Sequence, residues 1–306
     1  MIEVKQEALL SGHQNPVYAV EVSQKPGIIF TGGNDKGVVE WSLKNMAFIK
    51  VLMPVKSSVY SLHAPECAPV LAVGERSGLI SLFNFVEQRI TAEISHHKIP
   101  IFDLKSVNRK TELLAASEDG TVSVIDLTSH KLLYNFQVSQ ATVRTIAINR
   151  NESVVAFGCK DNIIRLYNLD DYSLITELTE HMLPVTSLEF SPDGKYLLSG
   201  GRDAKLNIWN TSDYSLKDTI VAHMFAIYDI KFHPTQPYFA TSSRDKSIKI
   251  WDAESFKLKK VISREKGMVA HSHSVNKICW DASTEFLISV SDDTNVMIWK
   301  VDTSIG

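Results

Sequence analysis

The sequence predicts an all-β fold in which seven four-stranded antiparallel sheets stand radially around one axis and close into a ring. Two observations predict it. One residue pattern recurs seven times at near-constant spacing, and each copy reads as four short strands joined by turns. The pattern is plainest at residues 243–253 (SRDKSIKIWDA), 201–211 (GRDAKLNIWNT) and 291–301 (SDDTNVMIWKV). Weaker copies end at Trp41, Phe83, Ile125 and Tyr167, so the closing positions are 41, 83, 125, 167, 209, 251 and 299. Five successive intervals are 42 residues and the sixth is 48.

Within one copy the elements follow in order. The alternating run 227–232 (IYDIKF) is the pattern of a half-buried strand. A turn follows, clearest in another copy at Ser191-Pro192-Asp193-Gly194, where proline presets φ and glycine tolerates a positive one. A second run over 238–243, a tight turn at Arg244-Asp245-Lys246, and a third run into Trp251 come next. A fourth strand over 257–262 leads into the following copy. One such sheet is too small to stand alone, and stacking seven radially covers both faces of each, which is the β-propeller arrangement. Residues 5–10 end three before His13, as 215–220 end three before His223. They are therefore expected to pair as the outer strand of the last blade, closing residues 1–306 into one single-domain ring. The extra six residues fall around 263–269 (SREKGMV), in the loop between the last two blades.

Composition narrows the function classes. The chain has 306 residues, 44% of them hydrophobic, and 32 Lys and Arg against 35 Asp and Glu give a net charge of −3. That balance argues against a polybasic binder of nucleic acid or membrane. No apolar stretch approaches the roughly 18–20 residues that span a bilayer, and the alternating N-terminus is no signal peptide. Cys67, Cys159 and Cys279 are odd in number and far apart, which argues against a disulfide framework or zinc ribbon and for a reducing, cytoplasmic setting. Phosphate-loop and HExxH signatures are absent, and Ser77 lies in Gly-Glu-Arg-Ser-Gly rather than GxSxG. His96-His97 and His271-Ser272-His273 lack a carboxylate or cysteine at ligand spacing. No catalytic residue, metal or cofactor is expected.

The copies resemble the WD40-repeat β-propeller family over essentially the whole chain. Its Gly-His and Trp-Asp marks stand complete only at Gly12-His13 and Trp251-Asp252, but the register recovers the rest. Twenty-eight residues before the closing position stand His13, His97, His181, His223 and His271; six before it stand Asp35, Asp119, Asp161, Asp203, Asp245 and Asp293. Ten before it, a hydroxyl (Thr31, Ser199, Thr241, Ser289) occurs in the same four copies that close with Trp41, Trp209, Trp251 and Trp299. This co-occurrence resembles the family's buried Asp–His–Ser/Thr–Trp network, in which each polar member needs a partner. Complete networks are expected in copies 1, 5, 6 and 7, and plain packing in copies 2, 3 and 4.

For function, the resemblance implies partner docking on the face that carries the loops opening each copy. Two sets of positions should reach it. Twenty-three residues before each closing position stand Tyr18, Tyr60, Phe102, Arg144, Thr186, Tyr228 and Asn276. Seven before stand Asn34, Arg76, Glu118, Lys160, Arg202, Arg244 and Asp292. Four aromatics in the first set, and five basic against two acidic residues over both, suit an interaction hot spot. The expectation is a non-enzymatic scaffold that binds a protein or peptide of acidic character, acting as a monomer or within a complex. An RNA-binding propeller using the same aromatic and basic side chains is the alternative.

Overall fold

Each blade is one four-stranded antiparallel sheet, and in the first six the strands follow in sequence order from the ring axis outward; the computed structural model describes residues 2–303. In blade 6 the strands, here a to d, are Ile227–Phe232, Tyr238–Ser243, Ile248–Asp252 and Leu258–Ile262. Strand b is buried throughout, because blades cover it on both faces, whereas d is an outer edge and largely exposed. Apolar packing runs between blades. One cluster joins Ile248 and Ile250 of blade 6 to Ile278, Leu287 and Trp299 of blade 7, and another joins Val17, Ile29 and Trp41 of blade 1 to Ile288, Val290 and Ile298 of blade 7. Blades approach closely enough that a Cβ at Gly200 would stand 2.7 Å from Ile227 Cγ2 of the next blade.

The turn between strands b and c has the same conformation seven times. Five residues before each closing position stand Lys36, Gly78, Gly120, Asn162, Ala204, Lys246 and Thr294, all with φ between 56° and 86°. Only two are glycine, so five turns hold a left-handed residue at some energetic cost. The ring closes at the chain ends: Ile2–Leu10 pairs antiparallel with Val296–Thr303, in register Leu10↔Val296 and Gln6↔Trp299, as the outer strand of blade 7. The six-residue insertion forms a single 3-10 turn, Arg264–Lys266, ended by Gly267 at φ 77°. It folds back on the body, since Arg264 Nε–H donates to Ala270 O at 2.7 Å and Met268 packs on the core between blades 6 and 7.

In blades 1, 5, 6 and 7 the four polar residues form a directed chain. In blade 6, Trp251 Nε1–H donates to Thr241 Oγ1 at 2.9 Å, Thr241 Oγ1 lies 2.7 Å from His223 Nε2, and His223 Nδ1 lies 2.9 Å from Asp245 Oδ2. The carboxylate only accepts, so Nδ1 carries the proton; Nε2 then accepts from the hydroxyl, and the hydroxyl oxygen accepts from the indole. Blade 1 repeats this at 2.7, 2.8 and 2.7 Å through Trp41, Thr31, His13 and Asp35. Ser199 bonds His181 and Trp209 at 2.8 and 2.9 Å in blade 5, and Ser289 bonds His271 and Trp299 at 2.8 Å each in blade 7. His181 meets Asp203 and His271 meets Asp293, both at 3.0 Å.

Blades 2, 3 and 4 correct the expectation of plain packing. In blade 3, His97 bonds Asp119 at 2.7 Å and Ser123 Oγ at 3.0 Å. Ser123 is the cross-strand partner of Ala115, so the hydroxyl reaches the same point from the neighbouring strand. In blade 4, Ser139 takes the histidine's place and donates to Asp161 at 2.7 Å, with Arg165 2.8 Å from the same carboxylate. In blade 2 the buried Glu75 replaces the aspartate and accepts from Ser57 N–H at 2.8 Å and Ser57 Oγ–H at 3.1 Å. Every blade thus ties the loop that opens it to a carboxylate at or beside its b–c turn.

The network sets a pH dependence. Burial holds His13, His97 and His223 below the usual 6.5, against the opposing pull of their aspartates. Burial alone would raise Asp203, Asp245 and Asp293, but histidine and backbone hydrogen bonds hold them below the usual 3.8. The unfolded chain therefore takes up protons before the folded one does, first at histidine and then at aspartate. Thermal stability is expected to be level above about pH 7, to fall as pH drops below about 6.5, and to fall faster below about 4. Melting curves from pH 8 to 3 check this; a melting temperature that rises between pH 7 and 5 contradicts it.

Candidate functional site

The channel mouth is built by seven equivalent irregularities. In every blade the pairing of strands a and b slips at the second residue of strand a, as between Val17 and Ala19, Val59 and Ser61, or Val143 and Thr145. The residue skipped is the one 23 before the closing position: Tyr18, Tyr60, Phe102, Arg144, Thr186, Tyr228 or Asn276. A bulge bends the strand and re-aims the side chain, and all seven line one cavity of about 510 Å³. The b–c turns are held over the same face. Arg202 N–H donates to Pro184 O and Arg76 N–H to Ser58 O, each at 2.8 Å.

Of the second set, Arg76, Glu118 and Arg202 join the bulged residues in lining the cavity. Lys160 and Arg244 do not; they stand exposed further out on their turns. Four neighbouring bulged residues form a continuous arc. Tyr18 meets Tyr60 edge-on at 5.4 Å, Tyr60 stacks on Phe102 at 5.6 Å, and the Arg144 guanidinium lies 4.5 Å over the Phe102 ring. Burial, reinforced by Arg202, pulls the Arg144 guanidinium below its ordinary range, and its Nε is buried with no hydrogen-bond partner. An unpaired buried donor beside a second cation favours an anion there, and Glu118 in the same cavity supplies part of that negative charge. Asn276 is differently employed, donating at 2.8 Å to Val17 O across the closure between blades 7 and 1 and at 2.8 Å to Asp292 Oδ1 of its own blade.

Deeper in the channel, charged side chains pair between adjacent blades. Glu189 meets Lys231 at 2.5 Å and Lys277 meets Asp229 at 3.4 Å, while Asp229 also accepts Ile278 N–H at 3.1 Å. These contacts stitch blades together. At the far mouth, Glu21, His63 and Ser106 lie in the order of a hydrolytic triad, with His63 Nδ1 3.2 Å from Glu21 and Nε2 2.9 Å from Ser106 Oγ. The resemblance stops at the lone pair. His63 Nε2 already accepts Ser106 N–H at 3.0 Å, and the Ser106 hydroxyl has Asn108 Oδ1 2.9 Å away. The imidazole holds the serine backbone rather than activating its oxygen. Burial raises all three thiols, Cys159 to about 12, so none is poised as a nucleophile. Among the described residues no group of three or more His, Cys, Asp or Glu is placed to hold a metal ion. Among the same residues no helix is long and apolar enough to cross a membrane.

The register located the bulged residues but not the bulges themselves, which carry no residue signature. It also passed over the exposed Met-Leu and Met-Phe pairs after His181 and His223.

Comparison with known proteins follows the same blades. Residues 4–42, 130–168, 172–210, 214–252 and 263–300 match the WD domain, G-beta repeat family. No matched stretch ends at Phe83 or Ile125, and of blades 2 and 3 only the outer strand Lys131–Gln137 of blade 3 falls inside one. A stretch of 136 residues, 42% of the chain, is 25% identical to the COMPASS component SWD3 of Saccharomyces cerevisiae and spans 43% of that relative. With five matched repeats over more than half its length, and seven four-stranded blades in a ring, this chain belongs to the WD domain, G-beta repeat family.

Proposed function

We propose that this propeller is a non-enzymatic interaction platform that binds an acidic segment of a protein partner across the channel mouth, as one subunit of a larger assembly. The observation that carries the reading is the arc ending on Arg144, where a buried, unpaired Nε lies beside Arg202 in a cavity walled by Tyr18, Tyr60 and Phe102. A carboxylate entering there would satisfy the orphaned donor while the rings supply contact area. Tyr60 and Phe102 are stacked on one another rather than set apart as platforms for separate bases, which favours the protein reading over RNA. The assembly reading is supported by a relative whose name makes it a component of COMPASS. Three protonated, unpaired thiols suit a reducing compartment such as the cytoplasm.

Affinity capture from native lysate tests the reading. Tyr60→Ala with Arg202→Glu is expected to reduce recovery of acidic-segment partners at least about tenfold, with an unchanged melting temperature. Equal recovery by both forms shows that another face binds.

A further inference from the structure

Outside the channel mouth, the docking face carries a feature confined to two blades. The two residues after the network histidine are Gln14-Asn15 in blade 1, Lys98-Ile99 in blade 3 and Ser272-His273 in blade 7, but Met182-Leu183 in blade 5 and Met224-Phe225 in blade 6. These four are exposed, at 71%, 48%, 78% and 53%. Apolar side chains in water contribute nothing to the fold, and a contiguous set marks a contact surface. Their backbone is nonetheless fixed: Met182 N–H and Met224 N–H each donate at 3.1 Å to the network carboxylates, Asp203 Oδ2 and Asp245 Oδ2. The crest is therefore held in place before any partner arrives.

Each pair stands beside a cation. Arg202 N–H is tied to Pro184 O and Arg244 N–H to Ala226 O, so the arginine-bearing turn lies against the apolar loop of its own blade, and Arg244 Cζ is 5.8 Å from the Phe225 ring. Both arginines are exposed and, among the described residues, neither enters an ion pair. Glu180, the exposed acid two residues before Met182, accepts Thr179 N–H at 2.9 Å within its own loop. Blades 5 and 6 thus present the same unit twice, 42 residues apart: an exposed Met with Leu or Phe, and an unpaired arginine.

We infer that this crest is a docking surface, meeting the channel mouth only at Arg202, for a protein segment bearing two apolar–acidic units, one seated on each blade. It rests on the reading that this face binds protein, and extends it to a second contact. Methionine fits such a role because its flexible thioether adapts to the side chain that covers it. An anionic bilayer fits less well, because the face also presents Glu118 and Asp292, which a flat surface would meet.

The test titrates the full chain with three synthetic peptides: one alternating Leu or Phe with Asp or Glu, one with serine at its apolar positions, and one with lysine at its acidic positions. The first should bind. It should bind about tenfold more weakly to Met224→Ser/Phe225→Ser, while Arg244→Glu, whose side chain lies outside the channel cavity, should weaken it and improve binding of the lysine peptide. The loss caused by Met224→Ser/Phe225→Ser should persist at similar size when it is added to Tyr60→Ala/Arg144→Ala, and melting curves confirm that each variant is folded. Loss confined to the channel variant overturns the crest and leaves the channel reading standing. Equal binding of the serine peptide, or no binding of the first peptide, overturns the crest, as does preference for phosphatidylserine vesicles or single-stranded RNA.

Discussion

Removal of residues 1–10 is expected to lower the melting temperature by on the order of 10 °C or more, and to make the protein prone to aggregate. The strand Ile2–Leu10 supplies one quarter of blade 7, pairing along Val296–Thr303. Without it that long strand becomes an open edge, its hydrogen-bonding groups free to recruit another chain. Leu10 leaves the buried cluster it shares with Trp41 and Ile298, and Ile2 and Val4 leave the one around Trp299. Loss of one buried leucine alone costs roughly 2–5 kcal/mol. Two to four degrees per kcal/mol for chains of about 150–250 residues gives the stated fall. A second effect adds to the first. The same strand runs from blade 7 into blade 1, so it covalently staples the only pair of neighbouring blades not otherwise joined by the chain. Cutting it turns an intramolecular closure into a contact between free ends. Calorimetry of the truncated chain, with Leu10→Ala as the milder comparison, checks the claim. An unchanged melting temperature means that blades 1 and 7 hold together by face packing alone.

What could be read from the sequence divides along a physical line. The 42-residue spacing exposed the blades because each repeat must stack on its neighbours in the same way, which keeps the closing positions in step. Strand 227–232 was legible because one strand between two apolar neighbours alternates. The bulges at Tyr18 or Arg144 were not, since a bulge is a register slip between strands and no single strand records it. The substitutions in blades 2 to 4 failed for a related reason. Alignment by register compares like positions along the chain, whereas a buried hydrogen bond needs only an oxygen at one point in space. Ser123 supplies it from the strand opposite Ala115, and Glu75 from two residues before Ser77 with one more methylene of reach. The crest on blades 5 and 6 was written in plain residues, but an apolar loop residue is as often covered as exposed, and exposure decided its meaning.

Thr241→Val is expected to destabilise the protein by about 2–4 kcal/mol, more than its single lost oxygen suggests. The shape is kept, so no cavity opens. The hydroxyl is the hub of two bonds, accepting from Trp251 Nε1–H at 2.9 Å and donating to His223 Nε2 at 2.7 Å, at a site with no exposure. Valine orphans both nitrogens where water does not reach, and each such group costs roughly 1–3 kcal/mol. Trp251→Phe removes the donor but leaves a hydroxyl that still serves the histidine, so it should cost less than the full loss of an indole. The combination decides between a hub and two independent contacts. If one oxygen serves both nitrogens, the second substitution removes an orphan that the first created, and the double variant should lose less than the two single losses added together, by about 0.5–3 kcal/mol. Additive losses in urea denaturation, or a Thr241→Val cost under about 0.5 kcal/mol, contradict the hub. Blade 3 already performs part of this experiment. There Ile125 replaces the indole, only His97 needs a partner, and the hydroxyl is free to move across the sheet to Ser123. The hydroxyl stays at its place on strand b in the four blades whose tryptophan also draws on it, because only there must one oxygen reach two nitrogens at once.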